Sequence, residues 1–133
     1  MRRRPKPPRG LDDAILIKDN HVAIAGGIVR AIEAARAGSP GIPVEVEVDD
    51  LAQLDEAIGA GADTILLDNM EPALLRQAVA RTGGRARLEA SGGITLDTVR
   101  AVAETGVDAI SIGALTHSVT ALDVSLEVHP WQS

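Results

Sequence analysis

The chain has 133 residues, 45% of them hydrophobic, with Trp131 as its single aromatic residue and no cysteine. That length fits one compact domain with an aliphatic core. The lack of cysteine excludes disulfides and thiolate chemistry and favours a cytoplasmic setting, and no apolar run approaches the roughly 20 residues of a membrane helix.

Charge is unevenly spread. Five of the 13 basic residues (Arg2, Arg3, Arg4, Lys6 and Arg9) fall in the first nine positions, leaving eight basic against 19 acidic residues and a net charge of −11 on the remainder. Residues 1–10 read as a basic, Pro-rich leader in which Pro5, Pro7 and Pro8 prevent helix, and disorder is expected there. Residues 11–133 read as the folded domain, and its acidity argues against a nucleic-acid partner.

Short β-branched runs alternate with Ala-rich stretches of helical length. Strands are expected at 14–18, Val44–Val48, Thr64–Asp68, Arg87–Ser91 and Ala109–Gly113, and helices at 21–38, 50–59, 71–82 and 95–105. Ile24, Ile28, Ala31, Ile32 and Ala35 share one face of the first helix, and Leu51, Leu54, Ala57 and Ile58 one face of the second. Asp50 and Thr95 read as N-caps, and Gly38-Ser-Pro and Gly83-Gly84 as stops. Ala60-Gly-Ala-Asp63 and Thr105-Gly-Val-Asp108 nearly repeat, each a turn from helix into strand. The fold class is therefore α/β, with parallel β/α units forming either a small doubly wound sheet or part of an open, barrel-like (TIM-related) domain.

In such folds the C-terminal ends of the strands carry the chemistry. Here they end in Lys18-Asp19-Asn20-His21, Asp68-Asn69, Ser91-Gly92-Gly93 and Gly113 followed by His117, while Glu45 and Glu47 alternate with valines in the second strand. Ser91, Gly92, Gly93, Gly113 and His117 suit a divided phosphate cup, in which glycine admits close backbone approach and a helix starting near Thr95 adds its positive end. Glu47 and Asp68 suit Mg²⁺, which takes one or two carboxylates with substrate phosphates; alternatively, one of them pairs with Lys18. Glu45 and Glu47 share a face, which is costly without cations or polar partners. His21 and His129 read as structural or solvated.

Leu16-Ile-Lys-Asp-Asn-His21, Val44-Glu-Val-Glu-Val48, Ile65-Leu-Leu-Asp-Asn-Met70, Leu88-Glu-Ala-Ser-Gly-Gly-Ile94 and Gly106-Val-Asp with Gly113-Ala-Leu-Thr-His-Ser118 together resemble consecutive signatures of quinolinate phosphoribosyltransferases. The resemblance implies a magnesium-dependent glycosyltransferase of NAD (pyridine nucleotide) biosynthesis. Such an enzyme joins quinolinate to phosphoribosyl pyrophosphate (PRPP) and releases pyrophosphate and CO₂, leaving nicotinate mononucleotide. It implies that Lys18 meets substrate carboxylates or the phosphoribosyl group, that Glu47 and Asp68 serve Mg²⁺ and the ribose hydroxyls, and that Ser91, Gly92, Gly93, Gly113 and His117 hold the 5′-phosphate. It also implies a homodimer and a preceding α/β domain with Arg- and Lys-rich motifs for the dicarboxylate. Those are not in this sequence, so a C-terminal fragment is expected, with an inactive phosphoribosyl-binding half-site as the alternative.

Overall fold

The computed structural model describes residues 14–113 and the backbone of 123–127. The strands are β1 (Ile15–Ile17), β2 (Val44–Val48), β3 (Thr64–Asp68), β4 (Arg87–Ser91), β5 (Ala109–Gly113) and β6 (Asp123–Glu127). The helices are α1 (Asp19–Ala25), α2 (Ile28–Gly38), α3 (Leu51–Gly59), α4 (Pro72–Thr82) and α5 (Val99–Ala103). The leader at 1–10, His117 and His129 lie outside the described residues.

The strands form one sheet in the order β1-β2-β3-β4-β5-β6. The first four pairings are parallel, as expected, and β6 adds an antiparallel strand, its Glu127 opposite Ala109 and its Asp123 opposite Gly113. Sequential order decides between the two architectures. Crossovers of one hand between neighbouring strands put every helix on the same face, whereas a doubly wound sheet must reverse its strand order. Each helix accordingly packs against the next, α1 on α2 through α4 on α5. The sheet is therefore one-sided, an arc of a barrel.

The alternation of side chains explains the layering. Ile17, Val44, Val46, Val48, Ile65, Leu67, Leu88, Ala90, Ile110 and Ile112 are buried in the core, which they share with Ile28, Ala31 and Ile32 of α2, Leu54 and Ala57 of α3, and Leu75 and Ala78 of α4. Each fully buried aliphatic side chain contributes roughly 1.5–3 kcal/mol. Leu51 and Ile58 pack partly against this core, so the expected face of α3 holds.

The expected helix over 21–38 is two helices. Gly26 and Gly27 have φ of 93° and 136°, and both N–H groups donate to the Val22 carbonyl, closing α1. The turn breaks the apolar stripe and leaves Ile24 85% exposed. Asp50 caps α3 as expected, its Oδ1 accepting from Gln53 N at 2.8 Å. The other expected cap shifts. Residues 95–98 form a turn in which Thr95 N donates to Thr98 Oγ1 at 3.0 Å, and α5 begins only at Val99. Gly83, in the left-handed region, ends α4, and α2 ends at Gly38.

The near-repeat has a structural explanation. Asp63 Oδ2 accepts from Val44 N at 2.9 Å, and Asp63 N returns a bond to Val44 O at 3.0 Å. Asp108 does the same at Leu88, at 2.8 and 2.9 Å. Each aspartate thus fastens the entry of one strand to that of the strand before. Gly61 and Gly106, with φ of 84° and 97°, make the tight approach to each aspartate. Arg36 braces the first of these turns, bonding to Gly61 O and to Asp63.

Candidate functional site

The register places Lys18, Glu47, Asp68, Ser91 and Gly113 toward one edge of the sheet, the C-terminal ends of the five parallel strands. Ile17 pairs with Val46, Glu47 with Leu66, and Asp68 with Ser91. Gly92 and Gly93 follow directly, both with positive φ.

Lys18 precedes α1 and is exposed. Its N–H donates to His21 Nδ1 at 3.1 Å, so the imidazole stabilises the strand-to-helix turn, the structural one of the two roles expected of it. Among the described residues Lys18 forms no direct ion pair; it acts on Glu47 at longer range.

The carboxylates form an acidic rim. Burial, then repulsion from Asp68, raises the Glu47 pKa; Lys18 lowers it, and Asp19 and Asp49 raise it further. Asp49 is raised in turn by burial and by Asp19, Asp68 and Asp50. Asp49 was missed in the sequence, although it directly follows a strand and so obeys the same strand-end rule; Asp19, noted there at the end of the first strand, had been given no role. Among the described residues, no set of three or more His, Asp or Glu is arranged to hold a metal. A cation at Glu47 and Asp68 therefore needs substrate oxygens and water to complete its shell, which is the habit of Mg²⁺. Relief of the repulsion that raises Glu47 makes this donor pair suited to it.

Beside the rim, the ends of β3 and β4 are in close contact. Asn69 N donates to Ser91 O at 2.8 Å, and Asn69 takes φ 57°, a left-handed conformation that asparagine tolerates best among non-glycine residues. A Cβ on Gly92 would stand 2.8 Å from Asp68 Oδ1 and 3.0 Å from Asn69 N. Glycine here lets the Asp68 carboxylate lie against the Ser91-Gly92-Gly93 turn, which joins the rim to the phosphate-cup residues. The helix expected to aim its positive end at the phosphate cup is five residues long and starts four residues late, which leaves the glycine loops as the donors available there.

A second polar group lies on the same open face, nearer the strand entries; the sequence singled out its Glu45 but missed Arg87, Glu89 and Ser111. Glu45 has its pKa raised by burial and then by Glu89, with Arg87 opposing. Arg87 is the cation that acts on Glu45, as Lys18 does on Glu47, and Ser111 Oγ donates to Glu89 Oε2 at 2.6 Å. The period-two placement of Arg87 and Glu89 on β4, matching Glu45 and Glu47 on β2, was the available signal.

Parallel βα units wound to one side, with polar residues gathered at the C-terminal edge, define a partial TIM-related barrel. The family model for "Quinolinate phosphoribosyl transferase, C-terminal domain" matches residues 8–127, and the chain belongs to that family of phosphoribosyltransferases. It is 48% identical over 120 residues to a probable nicotinate-nucleotide pyrophosphorylase [carboxylating] of Bacillus subtilis, covering 90% of this chain and 42% of that protein. It is also 48% identical over 122 residues to the nicotinate-nucleotide pyrophosphorylase [carboxylating] of Mycobacterium leprae, covering 90% of this chain and 43% of that one. The chain thus spans less than half the length of these relatives. The solved nicotinate-nucleotide pyrophosphorylase of Francisella tularensis superposes with a TM-score of 0.76 at 42% identity, over 88% of this chain and 42% of that one. The thiamine phosphate pyrophosphorylase of Pyrococcus furiosus shares the architecture at a TM-score of 0.62 and 25% identity, over 74% of this chain and 48% of that one. Among the described residues no helix is long and apolar enough to cross a membrane.

Proposed function

We propose that this chain supplies the phosphoribosyl-binding part of a quinolinate phosphoribosyltransferase site. In that reaction the quinolinate nitrogen bonds to the ribose C1′, and the bond from C1′ to pyrophosphate breaks with its electron pair leaving on oxygen. The carboxylate beside the ring nitrogen departs as CO₂, and the ring carbon it leaves takes a proton. Glu47 and Asp68 face the ribose hydroxyls and would hold Mg²⁺, which when bound would neutralise pyrophosphate charge. Ser91, Gly92, Gly93, Gly113 and His117 receive the 5′-phosphate, and Lys18 faces an anionic substrate group. Carboxylates near C1′ stabilise the positive charge that develops there, and fixed N–H donors stabilise the negative charge that leaves with pyrophosphate.

The observation that carries this reading is the Asp68 carboxylate lying against Gly92, which unites the ribose and phosphate ends of the site. Calorimetric titration of the chain with PRPP is expected to show binding that strengthens with Mg²⁺ and is weakened at least tenfold by Glu47→Gln with Asp68→Asn, a difference of about 1.4 kcal/mol. Release of labelled CO₂ from quinolinate then reads the complete reaction. PRPP binding that ignores both Mg²⁺ and these two substitutions would overturn the assignment.

A further inference from the structure

The seam between β4 and β5 differs from its neighbours. The β3–β4 ladder runs through five registered pairs to Asp68 and Ser91, and β5–β6 also has five. The β4–β5 ladder has two, Glu89 with Ala109 and Ala90 with Ile110. Beyond Ala90 and Ile110 no registered pair joins the two strands, and that unpaired stretch lies between Ser91-Gly92-Gly93 on one side and Gly113 on the other. Those are the two halves of the proposed phosphate cup. Below the ladder the seam is fastened by Asp108, bonded to Leu88 in both directions. At its upper end it is bridged on the open face by Ser111 Oγ, which donates to Glu89 Oε2 at 2.6 Å.

Glu89 is half-buried and lies two residues before Ser91; Ser111 lies two residues before Gly113. The hydroxyl–carboxylate bond is short and charge-assisted, the stronger class of neutral-donor bond. It sits where the registered pairs end, so it limits how far the strands can part. A phosphate gripped from two sides by backbone N–H groups needs those sides at a fixed separation, because each donor must reach its oxygen at about 2.9 Å. From this geometry, and resting on the phosphate-cup reading above, we propose that the Glu89–Ser111 bridge sets the gap between the two glycine-bearing strand ends. Glu89 and Ser111 are then positioning residues for the bound phosphate, acting through Ser91-Gly92-Gly93 and Gly113 without touching the ligand.

Threonine and valine at 111 test this, since they differ by a hydroxyl against a methyl and both suit a strand. Inorganic phosphate is titrated into the whole chain, with urea unfolding measured in parallel. Ser111→Thr is expected to keep the parent phosphate affinity, and Ser111→Val to weaken it about tenfold, the scale of one hydrogen bond to a charged group. Glu89→Ala is expected to match Ser111→Val, and Glu89→Gln, whose amide oxygen still accepts, to restore most of the loss. If Ser111→Val lowers the urea midpoint while its folded form binds phosphate as the parent does, the bridge is only structural and the proposal is overturned. A parent chain that binds no phosphate refutes the cup itself, and the bridge's role with it. If the parent binds and all the variants bind equally, the cup stands and only the bridge fails.

Discussion

The two faces of the sheet are built by the same strands yet obey opposite rules. On the helix-covered face, β2 contributes Val44, Val46 and Val48, all fully buried, and β3 contributes Ile65 and Leu67. On the open face the intervening residues are Glu45, Glu47, Leu66 and Asp68, all half-buried, joined by Arg87, Glu89 and Ser91 of β4. Stability is thus concentrated on one side of each strand and chemistry on the other. Raised carboxylate pKa values on the open face record a cost of burial, and then of repulsion, that the helix face must offset. A substitution should therefore affect stability or ligand binding according to the parity of its position.

The largest expected effect is on the helix face. Leu67→Ala should cost about 2–5 kcal/mol of unfolding free energy, read from urea denaturation, while the folded fraction keeps its phosphate affinity. Equal losses from Leu67→Ala and Asp68→Asn in the two measurements would break the division. Gly92→Val comes next and is expected to violate parity by affecting both. Its φ of 84° and the 2.8 Å approach to Asp68 Oδ1 strain the turn by about 1–3 kcal/mol and displace the carboxylate. The checks are a lowered urea midpoint together with weakened phosphate and Mg²⁺ binding.

A smaller effect lies in pH. Glu45 and Glu47 have folded-state pKa values raised above their unfolded values. In the window between the two, the folded chain holds more protons than the unfolded chain. Their contribution is therefore most favourable below the unfolded value and declines as pH rises through the folded one. Glu45→Gln should flatten that decline and raise stability at neutral pH, as seen in unfolding curves from pH 4 to 8. A steeper decline would mean that Arg87 outweighs burial and Glu89.

The smallest effect on stability is expected at the β1 edge. Leu16 and Ile24 are exposed there beside an apolar groove, and among the described residues β1 pairs only with β2. We propose that the chain self-associates through this edge. Ile24→Glu should shift sedimentation toward the monomer while moving the unfolding free energy by less than about 0.5 kcal/mol.

Most of this architecture was legible in the sequence, and the exceptions share a cause. Strands β2 to β5 stand where β-branched runs predicted them, because burial against helices demands such runs. The split between α1 and α2 was obscured because Ile24 continues the apolar spacing of Ile28 and Ile32, and spacing alone does not register two left-handed glycines. The start of α5 was misplaced because Thr95 and Thr98 are both plausible caps, and only their mutual hydrogen bonds decide. β6 carries the alternation Asp-Val-Ser-Leu-Glu at 123–127, a strand signal overshadowed by the search for βα units. At the candidate site, Lys18, Asp68 and the glycines were singled out because they stand at strand ends, and Glu47 because it alternates with valines near the end of β2. Asp49 follows the same rule one position later, and Glu89 with Ser111 lies inside strands, where the rule does not reach.

The sequential strand order also governs how the molecule can be assembled. Registered partners are 29 residues apart between β1 and β2, 19 between β2 and β3, 23 between β3 and β4, and 20 between β4 and β5. Each of these strands leaving the ribosome therefore finds its mate in the segment synthesised immediately before it, and among the described residues no parallel pairing waits for a distant part of the chain. Short separations keep the loop-closure entropy of every step small and nearly equal. Growth then resembles the extension of a repeat array, with each new βα unit docking on the exposed edge of the last. The aspartates at 63 and 108 fasten alternate joints of that array as they form.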